Sequence, residues 1–325
     1  MRPAVRSARP VPHPRPFPCG DLSRARAYGW WAATLRSAGV AVAVLVALLP
    51  LGGCRRPAVE PVEARADTLA VAPRLASDTT ALREVLSGVP AAFVVVDTAR
   101  HDTVRFGDVA VRSLPASTYK IPHTLLALTL GRDTTTAFRY DAARDPKQPW
   151  WPDDWAEDQT LATAFRRSAV WVYQDLARQL GRDTAQAWLG ALGYGSQTIG
   201  PRGDAYWLDG SLAVSPLEQV DLVRRLFAGT LPATPEQQQA LVRLMRLREG
   251  PNWVIYGKTG TSSMTDSVEA VSWLVGAARV GSVADSGGFV YPFALRIRPR
   301  TDAEAWGRAE RLDRVERLLR AAGVL

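Results

Sequence analysis

The chain has 325 residues, 47% hydrophobic and 22% charged, a globular composition long enough for one large domain or two small ones. Of its net charge of +8, residues 1–53 contribute +6, from seven arginines and one aspartate. The remainder is close to neutral, which excludes an electrostatic case for nucleic-acid binding.

Residues 1–53 read as a signal peptide. Arg36 precedes the apolar run A-G-V-A-V-A-V-L-V-A-L-L-P, too short for a comfortable membrane span, and the segment closes on Leu51-Gly52-Gly53-Cys54. Small residues directly before a cysteine resemble a bacterial lipobox, so the expectation is cleavage, lipidation of Cys54 and export to the periplasm as a membrane-tethered lipoprotein. Cys19 leaves with the leader, and no internal disulfide remains. Residues 54–80 are polar, Pro/Ala-rich and aperiodic, and are expected to tether a domain spanning 81–325.

In that domain Ala91–Asp97 predicts a buried strand, with Asp102–Asp108 returning beside it. Ser117–Leu130 and Ser168–Leu180 predict helices, the second with Val172, Leu176 and Leu180 on one face. Ser215-Pro216-Leu217-Glu218 is a capping box opening a helix to about Ala228, and Thr234-Pro235-Glu236-Gln237 repeats the device. Strands are expected over Trp253–Thr259, Ser272–Val280 and Phe289–Arg298, and a closing amphipathic helix over Arg308–Ala322. The fold class is therefore α+β: an antiparallel sheet built from N- and C-terminal strands, helices packed on it, and an inserted all-helical lobe, with a site expected in the cleft between them.

Only three of the 40 basic residues are lysine: Lys120, Lys147 and Lys258. Two of them stand in Ser117-Thr118-Tyr119-Lys120 and Lys258-Thr259-Gly260-Thr261. Lysine, unlike arginine, can lose its proton and act as a base. If Ser117 opens a helix, Lys120 lies one turn on and within reach of its hydroxyl. Alone, that spacing also describes a helix cap with a solvated lysine, and Lys258-Thr259-Gly260 alone also describes a β-turn. Together, in this order, S-x-x-K and K-T-G are the pair found in penicillin-binding proteins and serine β-lactamases. The middle element is Ser168-Ala169-Val170 rather than S-D-N.

With P-A-S-T-Y-K-I-P at 115–122, R-S-A-V-W-V-Y-Q-D-L-A-R at 167–178, Y-W-L-D-G at 206–210, K-T-G at 258–260 and W-L-V-G at 273–276, the chain resembles the class D, oxacillinase-type serine β-lactamases from about residue 81 to 325. The resemblance implies the penicillin-binding/serine β-lactamase-like fold and hydrolysis of the β-lactam ring. It makes Ser117 the nucleophile, Lys120 a general base carbamylated by carbon dioxide, and Ser168 the donor to the leaving nitrogen. Val170 and Trp207 would support the carbamate. Lys258, Thr259 and Gly260 would receive the substrate carboxylate with an arginine of the last helix, for which counting from the C-terminus selects Arg311. The backbone N–H groups of Ser117 and Thr261 would form the oxyanion hole. It implies no cofactor besides that carbon dioxide, no metal, β-lactams as the small-molecule partners, and membrane contact only through the N-terminal lipid or signal. His123 has no clustered acidic partner and is not expected to bind metal. Tyr194-Gly195-Ser196 departs from the family's Y-G-N, and Thr261 from its frequent aromatic residue. A β-lactam sensor or a penicillin-binding domain that is acylated without turnover is the alternative.

Overall fold

The computed structural model describes residues 72–76, 78–263, 269–281 and 288–325; the leader, Cys54 and the first part of the expected tether lie outside them. In chain order the described elements are α1 (Thr80–Val85), β1 (Ala91–Asp97), β2 (Asp102–Phe106), a 3-10 turn at Ala116–Tyr119, α2 (Lys120–Thr129), β3 (Ala137–Phe138), β4 (Gln159–Thr160), α3 (Leu161–Arg167), α4 (Val170–Leu180), α5 (Arg182–Leu192), α6 (Pro216–Phe227), α7 (Pro235–Leu244), β5 (Arg246–Glu249), β6 (Trp253–Ser262), β7 (Val271–Val280), β8 (Phe289–Ile297) and α8 (Arg308–Ala321).

Six strands form one antiparallel sheet in the order β2-β1-β8-β7-β6-β5. The N-terminal strand joins the C-terminal hairpins through β1–β8 pairing, with Ala91 opposite Ile297, as the sequence predicts. The edge strands β2 and β5 are largely exposed, whereas the central strands β1, β8, β7 and most of β6 are buried on both faces, which is why they read as nearly continuous apolar runs. Alternation is strict within them. Ala92, Val94, Trp273, Val275 and Ala294 face the core shared with the helical lobe. Phe93, Val95, Leu274, Phe293 and Leu295 face a second core closed by Leu82 of α1 and Val315, Leu318 and Leu319 of α8.

Local signals place the helices. Ser215 and Thr234 both close full capping boxes, with Glu218 and Gln237 at the third helical position and proline at the first. Residues 72–76, inside the expected tether, lie against the domain: the Ala76 N–H donates to Ala322 O, and the Tyr291 hydroxyl and Arg100 guanidinium donate to Pro73 O.

Candidate active site

The turn that carries Ser117 is held from three sides. Ala116 donates its N–H to Trp207 O at 3.1 Å, the Trp273 indole donates to Leu114 O at 2.9 Å, and Gln219 of α6 donates to the Thr118 hydroxyl at 2.7 Å. Ala116 itself has φ +48°, a left-handed conformation that costs a residue with a Cβ about 1–2 kcal/mol. Such strain persists only where the surroundings over-determine it. Ser117 sits in the 3-10 turn rather than at the mouth of an α-helix, and Lys120 is the first residue of α2.

Lys120 is fully buried and its Nζ donates to Ser117 Oγ at 3.0 Å. Burial drives its amine from an ordinary 10.5 down to about 7. The nitrogen lies 4.9 Å from the centre of the Tyr173 ring. Tyr119, the residue before it, stacks on Trp207 at 5.5 Å and shares a 2.7 Å hydroxyl contact with Tyr206. Val170 opens α4 in the same apolar cluster as Trp207 and Tyr173. Two buried polar atoms in this shell have no hydrogen-bond partner, Trp207 Nε1 and His123 Nδ1. Burial first, and the Lys120 charge second, lower the His123 imidazole to about 3.

A second serine–lysine contact closes the other wall. Lys258 of β6 donates to Ser168 Oγ at 2.8 Å and to Thr259 O at 2.9 Å. Burial, then the charges of Lys120, Arg308 and Arg311, hold the Lys258 amine well below its ordinary value. Ser168 does not begin a helix, as the sequence suggests. It ends α3 in the left-handed region, φ 68°, and this turns its side chain to the sheet while α4 starts at Val170. Nor does β6 end at Thr259. It runs to Ser262, fully paired with β7 despite its polar composition.

Gly260 lies directly behind the Ser117 turn. A Cβ there would stand 2.9 Å from Pro115 O and 3.0–3.1 Å from the Thr118 and Ser117 nitrogens. Thr259 is half-buried and Thr261 exposed beside it.

Arg311 lies beside the site, close enough for its charge to act on Lys258. It is buried and gives its guanidinium to two backbone oxygens, Gly260 O at 2.7 Å and Trp273 O at 3.0 Å. These contacts brace β6 against β7. Arg308, one turn earlier at the start of α8, lines a small pocket of about 110 Å³ with Lys258 and Thr259 and donates to Arg166 O at 2.8 Å. Counting from the C-terminus could not separate these neighbours; the signal available was Gly307, which caps the helix and puts Arg308 at its first turn. Lys120, Lys258, Arg308 and Arg311 form no ion pair with any acid among the described residues.

A serine hydroxyl bonded to a buried lysine, with a second serine–lysine pair on a strand of the sheet, is the arrangement of the penicillin-binding class of serine proteins. The chain belongs to that family: the model of the penicillin-binding protein transpeptidase domain matches residues 98–283. Within it the chain is similar to β-lactamase OXA-20 of Pseudomonas aeruginosa, 39% identical over 151 residues, which is 46% of this chain and 55% of that protein. It is also similar to the probable β-lactamase YbxI of Bacillus subtilis (strain 168), 36% identical over 167 residues, 51% and 60% of the two. These matches span little more than half the length of those curated relatives. Among solved structures, a class D β-lactamase from Nostoc superposes with a TM-score of 0.67 at 28% identity, covering 76% of this chain and 98% of that one. The class D β-lactamase FUS-1 (OXA-85) of Fusobacterium nucleatum gives the same score and identity, covering 75% and 98%. The resemblance to class D β-lactamases read from the motifs thus holds for both sequence and fold.

Proposed function

We propose that the chain hydrolyses the β-lactam ring of penicillin-type antibiotics through an acyl-enzyme on Ser117. The observation that carries this reading is the 3.0 Å contact between Ser117 Oγ and a fully buried Lys120 whose amine is lowered to about 7. At neutral pH much of that nitrogen is unprotonated and able to accept a proton. Ser117 Oγ attacks the lactam carbonyl carbon, its proton leaves toward the Lys120 side chain, and the C–N bond opens. Ser168, in contact with Lys258, delivers a proton to the departing nitrogen, and the proton taken up at Lys120 restores its hydroxyl. Water then attacks the Ser117 ester, releasing the ring-opened acid and restoring the hydroxyl. Lys258 and Arg308 receive the substrate carboxylate, the anion that the uncompensated cations of the cleft lack. The N–H groups of Ser117 and Thr261 take the developing oxyanion.

The shell of Lys120 also suits carbamylation. A neutral buried amine is the form that reacts with carbon dioxide, and the Trp207 indole is a buried donor without an acceptor. Lys120, Trp207 and Val170 would hold the group, which supplies a carboxylate base for both half-reactions. Replacing Trp207 by phenylalanine removes a hydrogen bond to a charged group, so about tenfold more bicarbonate is needed for half-maximal activity.

Export and lipidation at Cys54 complete the reading: a leader with a cysteine after Leu-Gly-Gly delivers the enzyme to the periplasmic face of a membrane. The catalytic proposal is tested by intact mass after mixing with benzylpenicillin. Wild type passes through a one-to-one adduct and returns to its free mass, and Ser117→Ala forms no adduct. A stable adduct without turnover would make the protein a sensor or penicillin-binding module instead.

A further inference from the structure

Backbone and side chain disagree at the entry to α8. Trp306 has φ 45°, in the left-handed region where a bulky L residue is strained. The next residue is a glycine that does not need its freedom: Gly307 has φ -62°, and a Cβ there would meet nothing within 4 Å. Backbone demands alone would place these two residues the other way round. What Trp306 contributes is therefore its side chain, held in a conformation that persists only where the surroundings over-determine it.

The surroundings do so from three directions. The indole is buried in the second core with Leu82 of α1 and Val315 and Leu318 of α8. The Arg314 guanidinium lies 3.8 Å from the centre of its ring, within the range of a cation–π contact. Arg314 is itself fixed, donating to Val85 O of α1 at 2.8 Å and to Glu310 at 3.1 and 3.2 Å. The residue before the indole is tied to the sheet: Ser272 of β7, opposite Thr261 in register, donates its hydroxyl to Ala305 O at 2.7 Å. Two residues after Trp306 comes Arg308, the first residue of α8, which lines the small pocket with Lys258 and Thr259. Among the described residues the Arg308 side chain has one hydrogen bond, to Arg166 O at 2.8 Å, so its aim depends on where its own backbone is held.

We infer that Trp306, stacked under Arg314, is a positioning residue for Arg308: it sets the entry of α8 so that the Arg308 guanidinium meets the substrate carboxylate beside Lys258. The inference rests on the reading that Arg308 receives that carboxylate. A guanidinium–carboxylate contact is directional, so a shift of the helix entry weakens it without touching Ser117 or Lys120.

The test is acylation of the full chain by benzylpenicillin, followed by intact mass over a range of concentrations, which separates the half-saturating concentration from the limiting rate. Trp306→Gly removes the indole and suits the backbone. It is expected to raise the half-saturating concentration about tenfold and to leave the limiting rate within about twofold. Trp306→Phe keeps an aromatic ring in the core and is expected to stay near wild type. Arg314→Leu removes the stacked cation but leaves the indole buried, and is expected to give a rise of about threefold; it carries the test should Trp306→Gly not fold. Combined with Arg308→Ala, neither change is expected to add to the effect of Arg308→Ala alone. A half-saturating concentration unchanged in both variants, a fall in the limiting rate instead, or fold-changes that multiply with that of Arg308→Ala overturns the inference and leaves the carboxylate reading of Arg308 intact. An Arg308→Ala variant with the half-saturating concentration of wild type overturns both.

Discussion

Lys120 and Arg311 show what one side chain's surroundings decide. The sequence marks Lys120 only by its rarity among arginines and its spacing from Ser117; what lowers its amine is burial in the shell of Tyr173, Tyr119 and Trp207, assembled from three separate segments. Ser117, Lys120, Ser168 and Lys258 were legible because short motifs hold them, and the structure brings each serine to its lysine. Which arginine of the last helix would meet a carboxylate was not legible, because Arg308 and Arg311 share one helix and both lie near Lys258. The choice between them is testable. Arg311→Ala removes two hydrogen bonds to buried carbonyls and is expected to cost about 2 kcal/mol of stability by chemical denaturation. Arg308→Ala is expected to leave stability within about 0.5 kcal/mol and to raise KM for a carboxylate-bearing β-lactam. The opposite pattern would return the carboxylate contact to Arg311.

At the scale of elements, the strands and capped helices followed from composition. β1, β7 and β8 are buried on both faces and so read as apolar runs, and α6 announces itself by Ser215, Pro216 and Glu218. The errors fall where backbone geometry is unusual for the residue. Nothing in R-S-A-V signals that Ser168 adopts a left-handed conformation and ends α3. Nothing in K-T-G-T-S signals a strand, since its order comes from ten paired residues on β7. The close approach of β6 to the Ser117 turn is sensitive to a single added atom. Gly260→Ala places a methyl group 2.9–3.1 Å from three backbone atoms of Pro115, Ser117 and Thr118. Because these are backbone atoms, the strand must shift. The variant is expected to fold, with about 1–3 kcal/mol lost, and to acylate about 100-fold more slowly, since a displacement near 1 Å costs that much. Stopped-flow acylation alongside a denaturation curve checks both parts.

For the whole molecule, the doubly buried central strands of the sheet help enclose a cluster of basic side chains, Lys120, Lys258 and Arg311. The cluster costs stability, and that cost depends on pH. Lys120 titrates near 7 in the folded chain and near 10.5 when unfolded. Between those values the unfolded chain binds a proton that the folded one does not, so stability rises with pH across the window. Lys258, lowered by burial, acts in the same direction. The buried tyrosines, Tyr119 and Tyr194 among them, are raised and oppose this only above pH 10. Tm is therefore expected to increase from pH 7 to 9, and Lys120→Met to flatten the slope; a Tm that falls over this range in wild type contradicts the burial of a neutral amine. The central claim is that Ser117 and Lys120 together open and release β-lactams, and it is met most directly by a benzylpenicillin hydrolysis time course on the full chain, with and without added bicarbonate. Sustained turnover that rises with bicarbonate and declines as pH drops below about 7 is the predicted result. A single turnover followed by arrest, indifferent to bicarbonate, would contradict it.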